Sequence, residues 1–446
     1  MIQTRVVGGL LAAVCVAAGG AARADGAFPD EFQLFLPADH PSRIVVAANF
    51  GLLESDDDGA TWGFICEAEA GAPGNLNLYQ MGPTDTLLAE FFGGVVRSGD
   101  EGCVWDRAAG SVAADGGRSV WDGAFDPLTP GRVLVLGAWA PSGSAIFPSA
   151  DDGRSFGPPV YATGAALTGI EFSSSSAGVV YATGNEVTQD GGGALGFGPP
   201  FVVAGADGGA TWGVPVDHPE VAALLGTDGG VQVGLAAVDP RDPRTVYLRL
   251  TVEPTGPDYL GVTRDSGKTV QVLFRSPERM TSFLVAQDGT LYVGTRNGTG
   301  AGGIFASQPD GGFAAVEQEC PDGGICDLHV RCLGERMGAL YACADNWQDG
   351  FALGRSTDRG RTFTGLLRFS GISGLAACSG SDLQSTCQAT WGALAQLFGI
   401  DAGSAAGEAD GGAAPAPSRG CACSTGDGFA LAALLAALGI ARRRGK

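Results

Sequence analysis

The stretch SDDDGATW, residues 55–62, is the clearest of seven copies of one short pattern in this chain of 446 residues. The pattern reads Ser or Thr, then Asp, then Gly, then Thr or Ser at alternate positions, and it ends on an aromatic residue. A pattern that returns every ~40 to 55 residues indicates propeller blades or solenoid repeats.

The seven copies, named repeat turns below, share the chemistry of a tight turn. Asp can accept hydrogen bonds from backbone N–H groups ahead of it, Gly can take positive φ, and the aromatic ring can pack into the blade. In chain order the copies are Ser55, Asp57, Gly59, Thr61, Trp62; Ser98, Asp100, Gly102, Trp105; Ser149, Asp151, Gly153, Ser155, Phe156; Gly205, Asp207, Gly209, Thr211, Trp212; Thr263, Asp265, Gly267, Thr269; Ser307, Asp310, Gly312, Phe313; and Ser356, Asp358, Gly360, Thr362, Phe363.

These copies resemble the Asp-box (BNR) repeats of sialidases and of many non-enzymatic propellers. The resemblance implies that each copy joins the third and fourth strands of a blade, at the periphery of the ring and away from the central pocket. It therefore implies a fold and not a catalytic site. With seven copies, the implied fold is all-β, a single β-propeller of seven four-stranded blades.

Apolar runs with period-two alternation, separated by Pro, Asp or Gly turns, precede each copy, and this arrangement predicts strands. Some units carry longer loops, such as 139–144 and 186–200. Long Gly-rich loops on a rigid scaffold are frequent binding surfaces, although decoration without function is the alternative.

The two ends of the chain carry predicted targeting signals. Residues 1–24 combine Arg5, an apolar stretch and the small-residue site Ala22-Arg23-Ala24, which predicts a secretory signal peptide. Residues 25–400 form the predicted propeller, and residues 401–420 form a Gly/Ala/Pro-rich spacer. Residues 421–446 contain Cys421, Cys423, a short apolar run predicted as a membrane helix, and a cluster of Arg residues.

This tail resembles the MYXO-CTERM sorting signal of myxobacterial and related surface proteins, in which a Cys motif precedes a short membrane helix and an Arg cluster. The resemblance implies that Cys421 or Cys423 is the position of processing or anchoring. An unprocessed tail anchor is the alternative. Both interpretations place the protein at the cell surface or envelope, or released outside the cell.

Eight cysteines remain in the predicted propeller, and an even number in an exported chain predicts disulfides. They are Cys66, Cys103, Cys320, Cys326, Cys332, Cys343, Cys378 and Cys387. Proximity in sequence suggests the pairs 66–103, 320–326, 332–343 and 378–387. A zinc site between Cys320 and Cys343 is the competing idea, but the spacing lacks a C-x-x-C signature.

The formal net charge of −21 disfavours nucleic acid and anionic lipid as partners, because both carry negative charge. We expect no cofactor and no metal site. Calcium is the alternative, since Asp is abundant, but no segment has EF-hand spacing. We expect the partner to be a glycan or a protein of the envelope or the extracellular space, with membrane contact through the tail.

A sialidase-like enzyme would need three arginines around a substrate carboxylate and a Tyr/Glu nucleophile pair. Arg43 precedes the first copy, but its context, Pro-Ser-Arg-Ile-Val, lacks the family's motif, so a solvated strand start is the simpler interpretation. Arg249 and Arg296 have no recognisable family context. Three tyrosines look like strand and loop residues: Tyr247, Tyr259 and Tyr292.

Other catalytic classes find less support. His40 and His218 stand in Asp-His-Pro turns, which predict exposed loop residues. The sequence contains no G-x-S-x-G elbow, no H-E-x-x-H motif and no phosphate-binding loop. No catalytic residue can therefore be assigned from the sequence.

Aromatic residues raise two further questions. Trp121, Trp139 and Trp347 could fill blade cores or form a sugar platform, and core packing is the more frequent role of a Trp side chain. Residues 387–400 are predicted as a short amphipathic helix on the ring edge, because Trp391, Leu394, Leu397 and Phe398 fall near helical spacing.

Two functional classes follow. The first is an exported, surface-anchored, non-catalytic propeller that binds a glycan, a protein or an envelope component. The second is a secreted sialidase-like glycoside hydrolase with a divergent active site. Analogy with the family favours the first class. This preference rests on association and not on a site in the sequence.

Overall fold

A computed structural model describes most of the predicted propeller. The described residues are 31–71, 78–83, 86–91, 93–112, 119–138, 143–189, 195–253, 256–296, 302–319, 325–378 and 381–400. The signal peptide, the spacer and the tail that the sequence predicts lie outside them. Within the described residues, no helix has the length and apolarity that a membrane span requires.

Four consecutive antiparallel strands form each blade, and seven blades form a ring, as predicted. The strands of blades one to four are Glu31–Phe35, Ile44–Ala48, Gly51–Ser55, Gly63–Cys66; Leu78–Met81, Leu87–Phe91, Gly94–Ser98, Trp105–Arg107; Val120–Phe125, Val133–Ala138, Ser144–Ser149, Tyr161–Thr163; and Ala166–Phe172, Val180–Gln189, Leu195–Ala206, Thr211–Trp212.

Blades five to seven follow the same order. Their strands are Val231–Val238, Val246–Val252, Asp258–Thr263, Gln271–Arg275; Arg279–Val285, Leu291–Arg296, Gly303–Ser307, Phe313–Ala315; and Val330–Arg336, Ala339–Ala344, Leu353–Ser356, Thr364–Leu367. Short additional strands are Ala109–Gly110, Ser155–Phe156, Val216–Asp217, Gln318–Glu319, Ile325–Cys326 and Gly374–Leu375.

Burial follows from the stacking of blades against one another. The first strand of each blade is innermost and contacts the first strand of its neighbours. The middle strands are covered on both faces, so Ile44–Ala48 and Val133–Ala138 are almost continuous apolar runs and almost fully buried. Strands buried on both faces lose period-two alternation because neither face meets water.

Ring closure adds a short C-terminal strand to the outer edge of blade one, whose own four strands come from the N-terminal part of the chain. This strand belongs to residues 372–400, named the closing strap, which pack on the outside of blade one. Gly374–Leu375 pairs in parallel with the outermost strand, Gly63–Cys66, and Ala376 N–H donates to the Phe64 carbonyl over 3.0 Å.

Helix α2, Leu383–Phe398, completes the strap and packs on blade one. Trp391 and Phe398 are buried, as predicted, and the Trp391 ring lies 6.0 Å from that of Phe64. The helix begins four residues before the predicted Cys387. Leu397 is 50% exposed, so its predicted place on the buried face is wrong: it lies roughly 240° around the helix from Trp391 at 100° per residue.

Two disulfides fix the strap to the first two blades, and they correct the pairing expected from sequence proximity. Cys66 is bonded to Cys387 and Cys103 to Cys378, in place of 66–103 and 378–387. The predicted pair Cys332–Cys343 is confirmed. Sequence proximity failed because the two ends of a ring meet in space. The pair of Cys326 with Cys320 stays a prediction, since Cys320 lies outside the described residues.

Loop length makes the strap disulfides the larger constraint on the unfolded chain. Cys66–Cys387 spans 321 residues and Cys332–Cys343 spans 11. The chain-entropy estimate is about 5 to 6 kcal/mol for the first loop and about 3 kcal/mol for the second. Because Cys103–Cys378 closes nearly the same loop, the two strap bonds together contribute less than the sum of their separate estimates.

Polar contacts join blade seven directly to blade one. Arg336 donates to the Arg43 carbonyl over 2.7 Å and to the Asp58 carboxylate over 2.6 Å. Arg355 reaches the second oxygen of Asp58 at 3.1 Å. Trp62 Nε1–H donates to the Leu366 carbonyl at 3.0 Å. The seam therefore combines covalent, ionic and apolar contacts.

Each repeat turn follows the third strand of its blade. In blade one, Ser55 Oγ donates to Asp57 at 2.8 Å and accepts from Gly59 N–H at 2.9 Å. Asp57 also accepts from the N–H and hydroxyl of Thr61, at 2.8 and 2.7 Å. The Thr61 N–H bond and the other bonds to this carboxylate hold the Asp57 pKa below its usual value.

The same bonds recur in blades three, five and seven, and the weaker copies lose some of them. Asp151, Asp265 and Asp358 each bond the residues equivalent to Ser55 and Thr61. Blade four has Gly205 in place of the hydroxyl residue, and blade six bonds Gly312 N–H directly to Asp310 at 3.0 Å. Copies that match the sequence pattern more closely thus form more hydrogen bonds in the turn.

The glycine of a repeat turn also lies against the preceding blade. A Cβ added at Gly209 in blade four would come within 2.5 Å of Leu134 in blade three, and one at Gly267 within 2.8 Å of Val202 in blade four. Gly209 and Gly267 have φ of +82° and +86°. These positions need glycine for two reasons: the backbone is left-handed, and side chains of the preceding blade approach closely.

We expect Gly209→Ala to destabilise the protein more than Gly311→Ala. Both positions have positive φ, +82° and +88°, but a Cβ at Gly311 meets nothing within 4 Å. Both variants should lose about 1 kcal/mol or more from backbone strain, and Gly209→Ala a further ~1 to 3 kcal/mol from overpacking. Urea unfolding of both variants measures the difference. Equal losses would show that the turn does not act as a blade contact.

Candidate functional site

The two faces of the ring are defined by its connections. The front face carries the start of each inner strand and the loops between second and third strands, and the back face carries the repeat turns and the loops between first and second strands. Catalytic or binding residues were expected at the central channel or on long loops. The predicted site residues are therefore located below by face and by partner.

Arg43 is not the solvated residue that the sequence suggested. Its side chain is 2% exposed and lies on the back face between blades one and two. It forms ion pairs with Glu54 at 2.9 Å and Glu101 at 2.6 Å, and a longer one with Asp56 at 3.4 Å. The expectation was wrong because the carboxylate partners of Arg43 come from the third strand and repeat turn of blade one and from the repeat turn of blade two. Arg43 is therefore a structural residue of the blade contact.

Two arginines converge near the front face, and an internal carboxylate occupies the space between them. Asp258 is fully buried. Its Oδ2 accepts from Arg249 at 2.8 Å and from Met280 N–H at 2.8 Å, and its Oδ1 accepts from Arg279 at 3.0 Å and from Thr251 at 2.7 Å. These bonds join blade five to blade six. The pair of guanidinium groups is thus already engaged.

The three tyrosines that looked like strand residues are strand residues. Tyr247, Tyr259 and Tyr292 are each less than a tenth exposed. Burial, and then the carboxylate of Asp239, which accepts the Tyr247 hydroxyl proton at 3.1 Å, raise the pKa of Tyr247 to about 12. Arg296 ends the second strand of blade six. Within the described residues, Tyr247 contacts Asp239 and not a glutamate.

The three histidines have different surroundings. His40 is exposed, as predicted. His218 is 2% exposed, so its predicted exposure is wrong: its ring joins the Glu220 carboxylate at 2.9 Å to the Gly267 carbonyl of the next blade at 3.0 Å. It precedes helix α1, Glu220–Leu225. His329 pairs with Asp349 at 3.0 Å, and this bond raises the pKa of the imidazole.

A group of carboxyls that sequence reasoning missed lies on and behind the inner strands of blades two to four. Asp122 and Glu171 are half-buried on adjacent inner strands, and Asp122 accepts from Ile170 N–H at 2.9 Å. Glu90 is 1% exposed, and its two oxygens make no hydrogen bond within the described structure. Each lies in an apolar run, and burial of a carboxyl there is not visible from sequence alone.

Burial shifts the titration of these groups upward. It raises the pKa of Asp122 to about 7 and that of Glu171 to about 8, against bonds from backbone N–H groups that lower both. Burial, and then the charge of Asp122, raise the pKa of Glu90 well above its usual value. The inner wall between blades two and four therefore holds protons near neutral pH.

These shifts predict a loss of stability as pH rises. The unfolded chain releases the protons of Asp and Glu near pH 4, whereas the folded protein keeps those of Asp122 and Glu171 to about pH 7 and 8. The folded state binds more protons in this window, so its stability is complete below pH 4 and declines up to pH 8.

Glu171→Gln should reduce the decline, because the amide does not ionise. We expect the difference in unfolding free energy between pH 5 and pH 8 to shrink by about 2 to 4 kcal/mol in this variant. Guanidinium unfolding at both pH values measures it. Glu186→Gln, at an exposed position in blade four, is the matched control. An unchanged difference in Glu171→Gln would contradict the buried-proton interpretation.

A loop on the front face of blade seven carries an exposed tryptophan and is held by hydrogen bonds and an ion pair. Trp347 is 42% exposed and follows Asp345, which accepts its N–H at 2.9 Å. Asp349 accepts from Asp345 N–H at 2.9 Å and from His329 N–H at 3.0 Å, and Arg331 pairs with Asp345 at 3.1 Å. The network fixes both ends of the loop.

Of the other two tryptophans considered as a sugar platform, Trp121 lies in a different part of the ring. Trp121 is half-buried, packs against the core of blades three and four, and donates to the Leu167 carbonyl at 3.1 Å. Trp139 lies outside the described residues. Core packing is thus confirmed for Trp121, and Trp347 has the exposure that a binding side chain needs.

Two cavities open on the back face. One of about 480 Å³ lies at the ends of the inner strands of blades one to three, with Leu36, Met81 and Phe125 in an apolar wall. The other, of about 850 Å³, lies between the turns of blades six and seven, beside Asp288 and Arg359. Across the described ranges, no group of three or more His, Cys, Asp and Glu side chains is arranged to hold a metal ion.

Comparison with known proteins supports the fold. No protein-family model and no curated protein matches the sequence. A puromycin hydrolase mutant complexed with PGG aligns at TM-score 0.51 and 12% identity, over 77% of this chain and 54% of that one. An ancestral GH74 enzyme aligns at 0.40 and 14%, over 75% and 48%.

The Hadza microbial sialidase Hz136 aligns at TM-score 0.38 and 13% identity, over 70% of this chain and 72% of that one. The chain spans about half the length of the GH74 enzyme and of the puromycin hydrolase. Of these three alignments, that with the puromycin hydrolase exceeds a TM-score of 0.5, and at 12% identity it shows a shared fold alone.

Proposed function

We propose that this protein is an exported, cell-surface-anchored propeller without catalytic activity that binds a glycan, a protein or another envelope component through its front face. In this proposal the repeat turns are Asp-box repeats with a structural role. The signal-peptide pattern of residues 1–24 and the sorting-signal pattern of residues 421–446 supply the export and anchoring. The disulfides of the strap are consistent with an oxidising compartment.

One observation carries the non-catalytic part of the proposal. The pair of arginines that converges near the front face, Arg249 and Arg279, is bonded to Asp258, which is fully buried. A substrate carboxylate would have to displace a carboxylate that also accepts from Thr251 and Met280 N–H. Removal of one partner from such a buried network costs several kcal/mol. This arrangement favours a structural role for the Asp258 network, which joins blades five and six, over a sialidase-type anion site.

The net charge and the loops of the front face limit which kinds of partner fit the proposal. The net charge of −21 makes nucleic acid and anionic lipid headgroups unfavourable. Front-face loops stand on a ring that is tied at its seam, and rigid scaffolds with variable loops are suited to recognition. A neutral glycan or a protein surface fits these properties.

A paired assay distinguishes binding from hydrolysis. The purified protein is applied to an array of sialylated and neutral glycans and of envelope fractions, with and without a calcium chelator, and fluorogenic glycosides are tested in parallel. We expect saturable, chelator-insensitive binding and no turnover. Turnover that Arg279→Lys abolishes and Arg264→Lys, at an exposed position, preserves would establish the hydrolase class instead.

The anchoring part is tested in producing cells. A chain that ends after Ile400 should appear in the medium, whereas the full chain should remain on the cells and be accessible to added protease. The mature full-length protein should lack Lys446 if the tail is processed, which mass spectrometry of its C-terminal peptide detects. Equal release of both chains would refute the anchor.

A further inference from the structure

The front loop of blade seven orients two side-chain amides beside its exposed tryptophan. Asn346 Oδ1 accepts the backbone N–H of Phe369 at 2.9 Å. Gln348 Nε2 donates to the Asp345 carboxylate at 3.0 Å. A backbone N–H can only donate and a carboxylate can only accept, so these partners fix which end of each amide is engaged. The opposite ends are the N–H groups of Asn346 and the Oε1 of Gln348.

Trp347 stands between these two amides in the chain, and its exposed ring has the size of a single-ring ligand. The ring packs edge-on against Phe369 at 6.3 Å and at a tilt against Phe398 at 6.2 Å. With 42% of the residue exposed and a Trp surface of up to ~250 Å², about 100 Å² faces solvent. A stable protein interface needs ~800 Å² from each partner. The feature therefore matches a small cyclic ligand better than a protein surface.

Two acidic side chains beside the ring, Asp345 and Asp349, have basic partners within the protein. Asp345 is paired with Arg331 at 3.1 Å, and Asp349 is paired with His329 at 3.0 Å. A charged ligand would gain no unpaired counter-ion from these groups. An uncharged ligand with one apolar face and a hydroxylated edge would contact the ring and both amides without breaking an existing ion pair.

We propose that Asn346, Trp347 and Gln348 form a binding subsite for a neutral hexopyranose. The C–H face of the sugar stacks on Trp347, one hydroxyl accepts from the Asn346 amide, and another donates to the Gln348 carbonyl. This inference deepens the proposed function and rests on it, because it names the ligand class of a binding propeller. The hydrogen bonds inside the loop hold all three side chains in place before the ligand arrives, which lowers the entropic cost of binding.

The test uses purified protein and an immobilised panel of neutral gluco-, manno- and galacto-oligosaccharides, followed by titration of the best binder. Trp347→Ala should weaken binding about tenfold or more, as expected for a central aromatic contact. Trp347→Phe should keep most of the affinity because it keeps a ring. Gln348→Met, which keeps length and loses the acceptor, should weaken binding several-fold.

The matched control is Leu224→Ala, which removes an exposed apolar side chain. Leu224 is 54% exposed and lies in helix α1, which follows blade four. It should bind as the wild type does, and thermal unfolding should confirm that all variants are folded. Sugar binding that Trp347→Ala leaves unchanged would overturn the subsite and leave the proposed function intact. A wild-type protein that binds a protein but no neutral sugar would also overturn it, whereas hydrolysis of a bound sugar would overturn the proposed function itself.

Discussion

The attachment of the closing strap to blade one is the constraint on which the rest of the structure depends. Each inner strand packs against its neighbours, so a ring that opens at one seam loses blade contacts on both sides of the opening. Residues 372–400 cover this seam with a parallel strand, an aromatic cluster around Phe64 and Trp391, and two disulfides. The ion pairs of Asp58 with Arg336 and Arg355 close the same seam on the back face.

A closed ring separates structural chemistry from recognition. The repeat turns, Arg43 and the network around Asp258 all make their ion pairs and carboxylate hydrogen bonds inside the protein. The inner wall keeps Asp122 and Glu171 at raised pKa, so its charge depends on pH near neutrality. By contrast, the Trp347 loop turns an aromatic ring and two oriented amides outward. This loop is the part of the front face on which the proposed recognition rests.

Local sequence was sufficient where structure depends on local contacts. The turn from Ser55 to Trp62 is closed by bonds within eight residues, so the pattern predicts both the turn and the number of blades. The hairpin disulfide Cys332–Cys343 was predictable for the same reason. The strap disulfides were not, because Cys66 meets Cys387 across 321 residues of chain. Arg43 and His218 were misjudged because their burial depends on neighbouring blades.

Disulfide mapping tests the central claim most directly. The protein is isolated without reduction, its free thiols are blocked, and its proteolytic peptides are identified by mass spectrometry before and after reduction. The account predicts peptides that join Cys66 to Cys387 and Cys103 to Cys378, which tie the C-terminal strap to the first two blades. Peptides that join Cys66 to Cys103 and Cys378 to Cys387 would contradict it, because the strap would then have no covalent link to the N-terminal blades.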